Sequence, residues 1–391
     1  MPSEGIQPAD DFWEEWSTGN RMNFVPDVVL AGRNDQSNGL LEKSLNSEII
    51  AIQGNSREEA LAFTVATFLN EPQRTEDFFS RSIIVDSLDA FRELAIIDKP
   101  LFLICRFEDD SVLNRAKVKG HTVIVPIGLE RTDVWTEKIT LPPLQRDAFV
   151  AAMVKSGMTE PEAEEISRKS ARNLIVVRRQ LDFKRLNPIW SLPENVKAVL
   201  PAILAGRWNE DLEGDRKMIT TLAGEDYESY IKRLQPWCYS ADAPVVKIGN
   251  AWRLTSPMDA WTHAARYLTK DDFNKLGATV STTLTTIDQR FDLPAEDRHK
   301  AVWYGIKSDY SRWLREGLLQ SLILTSLYGE KLGLDVPGQA VGWVDNLIYD
   351  LLNTENLDLW RSLDHEMFLI AEASPSAFIT CIEQLFKVNP S

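Results

Sequence analysis

Between residues 49 and 141 the chain alternates short apolar runs with stretches of helical spacing. The runs are IIAIQ (49–53), SIIVD (82–86), LFLIC (101–105), TVIVP (122–126) and KITL (138–141). Each is rich in Ile, Val or Leu, as a strand covered on both faces should be. The intervening stretches 58–69 and 87–96 have helical length and periodicity. Repeated strand–helix units predict a mostly parallel sheet with helices packed on both sides.

From Pro143 the strand pattern stops. LQRDAFVAAMVKSG reads as an amphipathic helix ending at Gly157, and TEPEAEEISRKSARNLIVVRRQL as a second one opened by a Thr159…Glu162 capping box. Residues 193–255 change character again. Helical pieces at 195–205, 215–222 and 226–234 precede PVVKIGNAWRLTS, where two apolar-rich runs flank Gly249-Asn250, a two-residue hairpin turn signal. Three helices followed by a hairpin is the order of a winged helix. After Ser256 the pattern is helical to the end, in segments broken by Gly, Pro and Asn, which allows a helical-repeat array without a strict period. The last residues, KVNPS, carry no capping unit, so the expectation is that the polypeptide continues or meets a partner there.

Composition narrows the classes. The chain has 391 residues, 44% of them hydrophobic, enough for two to four domain cores. Forty-three Lys+Arg against 58 Asp+Glu give a net charge of -15, which disfavours a chain-wide nucleic-acid or anionic-membrane surface. Cys105, Cys238 and Cys381 are dispersed, as buried free thiols in a reducing compartment would be. The acidic start MPSEGIQPADDFWEEW is no signal peptide, and LLQSLILTSL is about half of the roughly 20 apolar residues a membrane span needs. A cytoplasmic protein without membrane contact is expected.

IIAIQGNSREEALAF (49–63) raises the main chemical question. Strand, glycine, tight turn and helix is where an α/β nucleotide-binding protein carries its phosphate loop. Counting from Gly54, the second glycine, the lysine and the hydroxyl residue are replaced by Glu59, Ala60 and Leu61. Ser56 and Glu59 form a capping-box pattern, and Glu58 and Glu59 put negative charge at the positive end of the helix dipole. The helix start is expected to satisfy itself and repel an anion. Arg57 reads as a solvated cation beside two glutamates, with a phosphate contact as the rival reading. Glu108, Asp109 and Asp110 end a strand where magnesium ligands and a water-activating carboxylate would lie. The preferred reading is an acidic loop in which Asp109 or Asp110 caps a helix.

The succession resembles that of STAND-type, AAA+-related signalling NTPases. VVLAGRNDQSNGLLEKSL (28–45) resembles their leading segment, in which a Gly-Arg pair lies near the adenine pocket; Gly32 and Arg33 hold those places. KPLFLICRFEDD resembles the metal-binding strand, HTVIVPIG the sensor strand, ITLPPLQRDAF the passage to the lid, and SRKSARNLIVVRRQL the lid helix, with Arg172-Asn173-Leu174 in place of Gly-x-Pro. The resemblance covers about residues 24–255 and implies an α/β plus α protein. Its parts would be an N-terminal extension (1–23), a degenerate NTPase-like domain with a parallel P-loop-type sheet (24–142), a helical lid (143–192), a winged helix (193–255) and a helical sensor or repeat-like region (256–391). It implies a sensor or scaffold in a signalling or anti-phage defence assembly, with little or no ATP hydrolysis. Cofactor-site candidates are Gly32, Arg33, Gly54, Ser56 and Arg57, and catalytic candidates are Glu108 and Asp109. No cofactor is required on this reading; ATP or ADP bound without turnover is the alternative, and an active ATPase using Arg33, Arg57 and Glu108 the first rival. For Arg33 the functional reading is an adenine or phosphate contact, and the reading beside it is an interface ion pair.

Other chemistry is sparse. His121, His263, His299 and His365 belong to no spaced metal motif. Asp364-His365-Glu366 reads as a polar helix face. The tryptophans, among them Trp252, Trp303, Trp313 and Trp343, fall at apolar positions and are expected in cores. The candidate third helix of the winged helix mixes Glu225, Asp226 and Glu228 with Lys232 and Arg233, and the hairpin adds only Lys247 and Arg253. That surface is close to neutral, so a DNA-binding regulator ranks as the second rival, and a protein partner or a homo-oligomer is the expected company.

Overall fold

The apolar runs become strands in the computed structural model, which describes residues 5–388 except 108, 130, 132–135, 182–186, 241, 302 and 307. The chain divides into two compact units: residues up to 187 with 239–242, and residues 188–238 with 243 onward.

The first unit holds a six-stranded sheet made of β1 (Ile6–Pro8), β2 (Ile49–Gln53), β3 (Ser82–Val85), β4 (Phe102–Cys105), β5 (Thr122–Ile127) and β6 (Lys138–Thr140). The order is β1-β3-β4-β5-β2-β6; β1 pairs antiparallel with β3, and the other pairings are parallel. The period of two explains why the runs are apolar throughout. Ile50, Ile52, Ile84, Ile104 and Ile124 join one core, while Ile49, Ala51, Val85, Leu103 and Val125 join a second core on the opposite face. Helix Arg57–Leu69 fills the first of these and is buried along nearly its whole length.

The chain leaves β2 for β3, three places away, returns through β4 and β5, and then crosses to β6 on the other flank of β2. The winding reverses at β2. In open α/β sheets the crevice outside the strand ends at such a reversal is where ligands bind.

Two expectations are corrected in this unit. The N-terminal extension is part of the sheet, since Ile6–Pro8 supplies its edge strand. The reading of one helix onward from the Thr159 cap fails at Ala171 and Arg172, which adopt left-handed φ values of 50° and 61°. Ser170 Oγ there donates to Ile166 O and accepts from Arg172 N, and Asn173 then caps a new helix, Leu174–Gln180. A side-chain hydroxyl competing with the helix ladder ends one helix, and the asparagine begins the next.

In the second unit, helices Leu200–Ala205, Glu213–Ala223 and Tyr227–Cys238 combine with a three-stranded antiparallel sheet of β7 (Arg207–Asn209), β8 (Val245–Ile248) and β9 (Ala251–Leu254), in the order β7-β9-β8. The hairpin turns at Gly249-Asn250, with Gly249 at φ 58°. Strand β7 has no apolar run to announce it. It forms because Trp208 pairs with Trp252 in register and the two indoles stack at 5.5 Å and 2°. Seven further α-helices between Pro257 and Val388 share one apolar core with this module.

One close approach in this unit is backbone to backbone. A Cβ on Gly317, in helix Arg312–Leu332, would lie 2.2 Å from Ala205 O and 2.8 Å from Arg207 N. Asp215, fully buried, accepts from Asn209 N and Ser311 N, both at 2.8 Å, and so ties the end of β7 to the start of that helix. Trp252 and Trp343 pack as expected, but Trp303 (84% exposed) and Trp313 (43%) do not. Trp303 lies in the irregular stretch before helix Arg312–Leu332, outside the helical context assumed for it. Glu366 is not on a polar helix face either. It lies in the turn between helices Leu357–Ser362 and Met367–Ala373, 3% exposed, with the Arg315 charge nearby. Among the described residues no helix is long and apolar enough to cross a membrane.

Two measurements check this packing. Gly317→Ala should destabilise by about 3 kcal/mol, since backbone must move to admit the methyl group. Gly342→Ala, on an exposed helix position with open space around it, should be stabilising by about 0.5 kcal/mol in the same urea titration. The second concerns Glu366, whose carboxyl burial raises above its ordinary 4.5, against the opposing charges of Arg315, His365 and Arg312. Stability tied to its proton is complete below the unfolded value and is lost as pH climbs through the raised one. Glu366→Gln, which keeps the neutral form, should raise the melting temperature more at about pH 7 than at about pH 4.

Candidate functional site

At the carboxyl end of β2 the chain binds itself closely. Gly54 N donates to Ile127 O at 3.1 Å, and the buried Gln53 amide donates to Gly128 O at 3.3 Å and Arg131 O at 3.2 Å. These bonds fold the turn against the end of β5. A Cβ on Gly54 would sit 3.1 Å from both Ala60 N and Ser56 O, so the turn lies on the helix start and is not a wide cradle. Ser56, in extended conformation, caps helix Arg57–Leu69 by accepting from Glu59 N at 3.1 Å.

The reciprocal arm of the expected capping box lands elsewhere. Glu59 Oε2 accepts from Asn55 N at 2.9 Å, one residue before the cap, and Oε1 accepts from Arg33 Nη2 at 2.5 Å. Glu59 is 4% exposed and Arg33 is fully buried. The other guanidinium arms are also used: Nε donates to Pro142 O at 2.9 Å and Nη1 to Val29 O at 3.1 Å. Arg33 is positioned by Gly32, whose φ of 77° needs glycine and whose missing Cβ would lie 2.6 Å from Gln145 Cβ. Gln145 N in turn donates to Ala31 O. One ion pair thus joins three segments, 28–33, 54–60 and 142–145.

Arg57 is half-buried and anchored to the main chain. Its Nη1 donates to Arg106 O at 2.7 Å, just beyond β4. Arg106 makes a two-pronged pair with Asp86, at 2.5 and 2.9 Å, and also donates to Gln7. Glu58 stands 3.6 Å from Arg178, whose guanidinium lies 4.9 Å over the Trp16 ring. Gln7, Trp16, Glu58, Arg106 and Arg178 border a cleft of about 130 Å³, well below the roughly 300 Å³ at which ligand pockets begin.

Asp109 accepts from Ser111 Oγ at 2.6 Å and Ser111 N at 3.0 Å, and these bonds, the hydroxyl first, hold its carboxyl below the usual aspartate value. These bonds lie at the start of the turn Asp110–Val112. Glu108 lies outside the described residues. Among the described residues no group of three or more His, Cys, Asp or Glu could hold a metal ion. His121 is fully buried and accepts from Leu101 N at 3.0 Å, a bond across the start of the strands.

Sequence reasoning missed Glu59 as Arg33's partner, Pro142 O as an acceptor and Gln53 as a latch. One signal was present: Glu59 is a charged residue at the head of an otherwise apolar helix, and buried charge requires a partner. No known protein-family model matches the chain, and no curated protein matches it.

The pair can be weighed by a double-mutant cycle. Arg33→Met and Glu59→Leu should each destabilise the chain by about 3–5 kcal/mol, because each leaves a buried charge unmatched. The double variant should cost much less than the sum, giving a coupling of about 3 kcal/mol in urea unfolding.

Proposed function

We propose that the chain is a STAND-like pseudo-ATPase, a non-hydrolysing scaffold or sensor that works with a protein partner or further copies of itself. The observation carrying the reading is the Arg33–Glu59 pair: the buried cation among the nucleotide-site candidates is held by a carboxylate that stands where the phosphate loop would have its second glycine. Support also comes from the framework. The strand that would carry the phosphate loop is interior to the sheet, at the winding reversal. The small second-unit module supports a winged helix used as a structural clamp, since helix, strand, two helices and hairpin follow in that order. By the same resemblance the setting is a cytoplasmic signalling or anti-phage defence assembly, with the effector on another chain or segment.

A DNA-binding role is the weaker reading on charge. Lys247 pairs with Glu210 at 2.6 Å, Arg216 with Glu228 at 2.7 Å, Arg233 with Glu225 and Arg207 with Glu316. Cations already matched by their own carboxylates have little left for phosphate neutralisation.

Nucleotide titration tests the proposal. Magnesium with ATP or ADP at millimolar concentration should leave the melting temperature unchanged within about one degree, and phosphate release should stay at background. A shift of several degrees saturating with nucleotide, or turnover lost in Glu59→Gln or Arg57→Gln, sinks it.

A further inference from the structure

Helix Pro375–Val388 of the second unit is apolar over more of its circumference than the core covers. Ala377 and Cys381 are buried in that core. About 150° round the helix, at roughly 100° per residue, Pro375, Ile379, Ile382 and Phe386 follow one another at spacings of four, three and four. These four keep within an arc of about 60°. Ile382 is half-buried and the other three are exposed, Ile379 at 57% and Phe386 at 64%. Ser376, Thr380, Glu383 and Lys387 make up a separate polar side.

Single exposed apolar side chains are ordinary on a protein surface, but a row of four along one helix marks an interaction site. Alternating steps of four and three are those at which one helix packs along another, so the row suits a helix as its occupant.

Charge says which helix. Pro375–Val388 contains one acid, Glu383, and one base, Lys387, and so is neutral within a chain of net charge -15. Copies of an acidic chain meet with least repulsion at such a place. Glu383 and Lys387 flank the row on the same side, and both are exposed. In a two-fold pair, where residue i meets j, j also meets i. With the helices antiparallel and the axis beside residues 384 and 385, Ile382 meets the partner's Phe386 and Glu383 meets the partner's Lys387, each contact being made twice.

We propose that helix Pro375–Val388 is a self-association surface, pairing antiparallel with the same helix of a second copy of this chain. The row is about 17 Å long, which makes the contact one of the small, reversible interfaces. A dissociation constant of about 10 μM is expected. The pairing uses no nucleotide and is therefore tested apart from the nucleotide question in the first unit.

Sedimentation equilibrium of the whole chain, without nucleotide, is the test. The mass should rise from the 44.4 kDa of one chain toward twice that value between about 1 and 100 μM. Phe386→Ser should keep the chain single throughout that range. Glu383→Lys and Lys387→Glu should each weaken association by about tenfold, because each sets like charges opposite one another twice. An equimolar mixture of those two variants should regain the original affinity, since the charges match again across the pair. Circular dichroism checks the fold of every variant, and recovery in the mixture cannot come from misfolding. A single-chain mass for the unaltered protein at about 100 μM overturns the proposal. So does association indifferent to Phe386→Ser, or a mixture that associates no more tightly than its components.

Discussion

The first unit depends on a buried arginine and a buried glutamate 26 residues apart in sequence. A guanidinium taken out of water is tolerable only when its donors are met, and three arms of Arg33 are met by Glu59, Pro142 O and Val29 O. Glu59 in turn spends its second oxygen on Asn55 N. The pair therefore fixes the turn after β2, the start of helix Arg57–Leu69 and the passage after β6 in one arrangement. Loss of either side chain would leave a charge stranded in all three.

The same geometry bears on what such a site can sense. A helix start attracts anions because its amides and dipole face outward. Here a carboxylate from the helix itself takes a turn amide and the neighbouring cation, much as a bound phosphate would. In a nucleotide-dependent protein, the stability of the ligand-bound form follows ligand concentration. An anion tethered in the chain is always present, so that dependence vanishes. On the proposed reading, a framework built to report nucleotide state has been held in one state, and only a partner with unequal affinity for two conformations could shift it.

The sequence was most readable where burial imposes a simple period. β2 to β5 are buried along nearly their whole length, so their apolar runs mark them to within two residues, and the turn at Gly249-Asn250 announces the hairpin. What could not be read depends on partners distant in sequence. β7 has one apolar residue, Trp208, and exists because Trp252 lies opposite it. The helix break at Ala171–Arg172 rests on the Ser170 hydroxyl choosing local acceptors, in a stretch whose propensity favours continuity. Periodicity put Trp303 in a core and Glu366 on a solvated face, and tertiary placement reversed both. At the site, Gly32, Arg33, Gly54 and Ser56 were identified from a motif's places, whereas the contact that defines the site, Arg33 to Glu59, is visible only in the fold.

In the second unit the constraint is steric and not ionic. Gly206 and Gly317 bring the end of one helix and the interior of another within backbone contact, which no side chain larger than hydrogen permits. Asp215 bridges the same junction with three accepted bonds, two from main-chain amides and one from the Ser311 hydroxyl. A junction made of backbone contact and buried bonds cannot slide by small steps, because packed interiors have discrete arrangements and not a continuum. The strand–hairpin module and helix Arg312–Leu332 are therefore locked together by main-chain contact and buried hydrogen bonds.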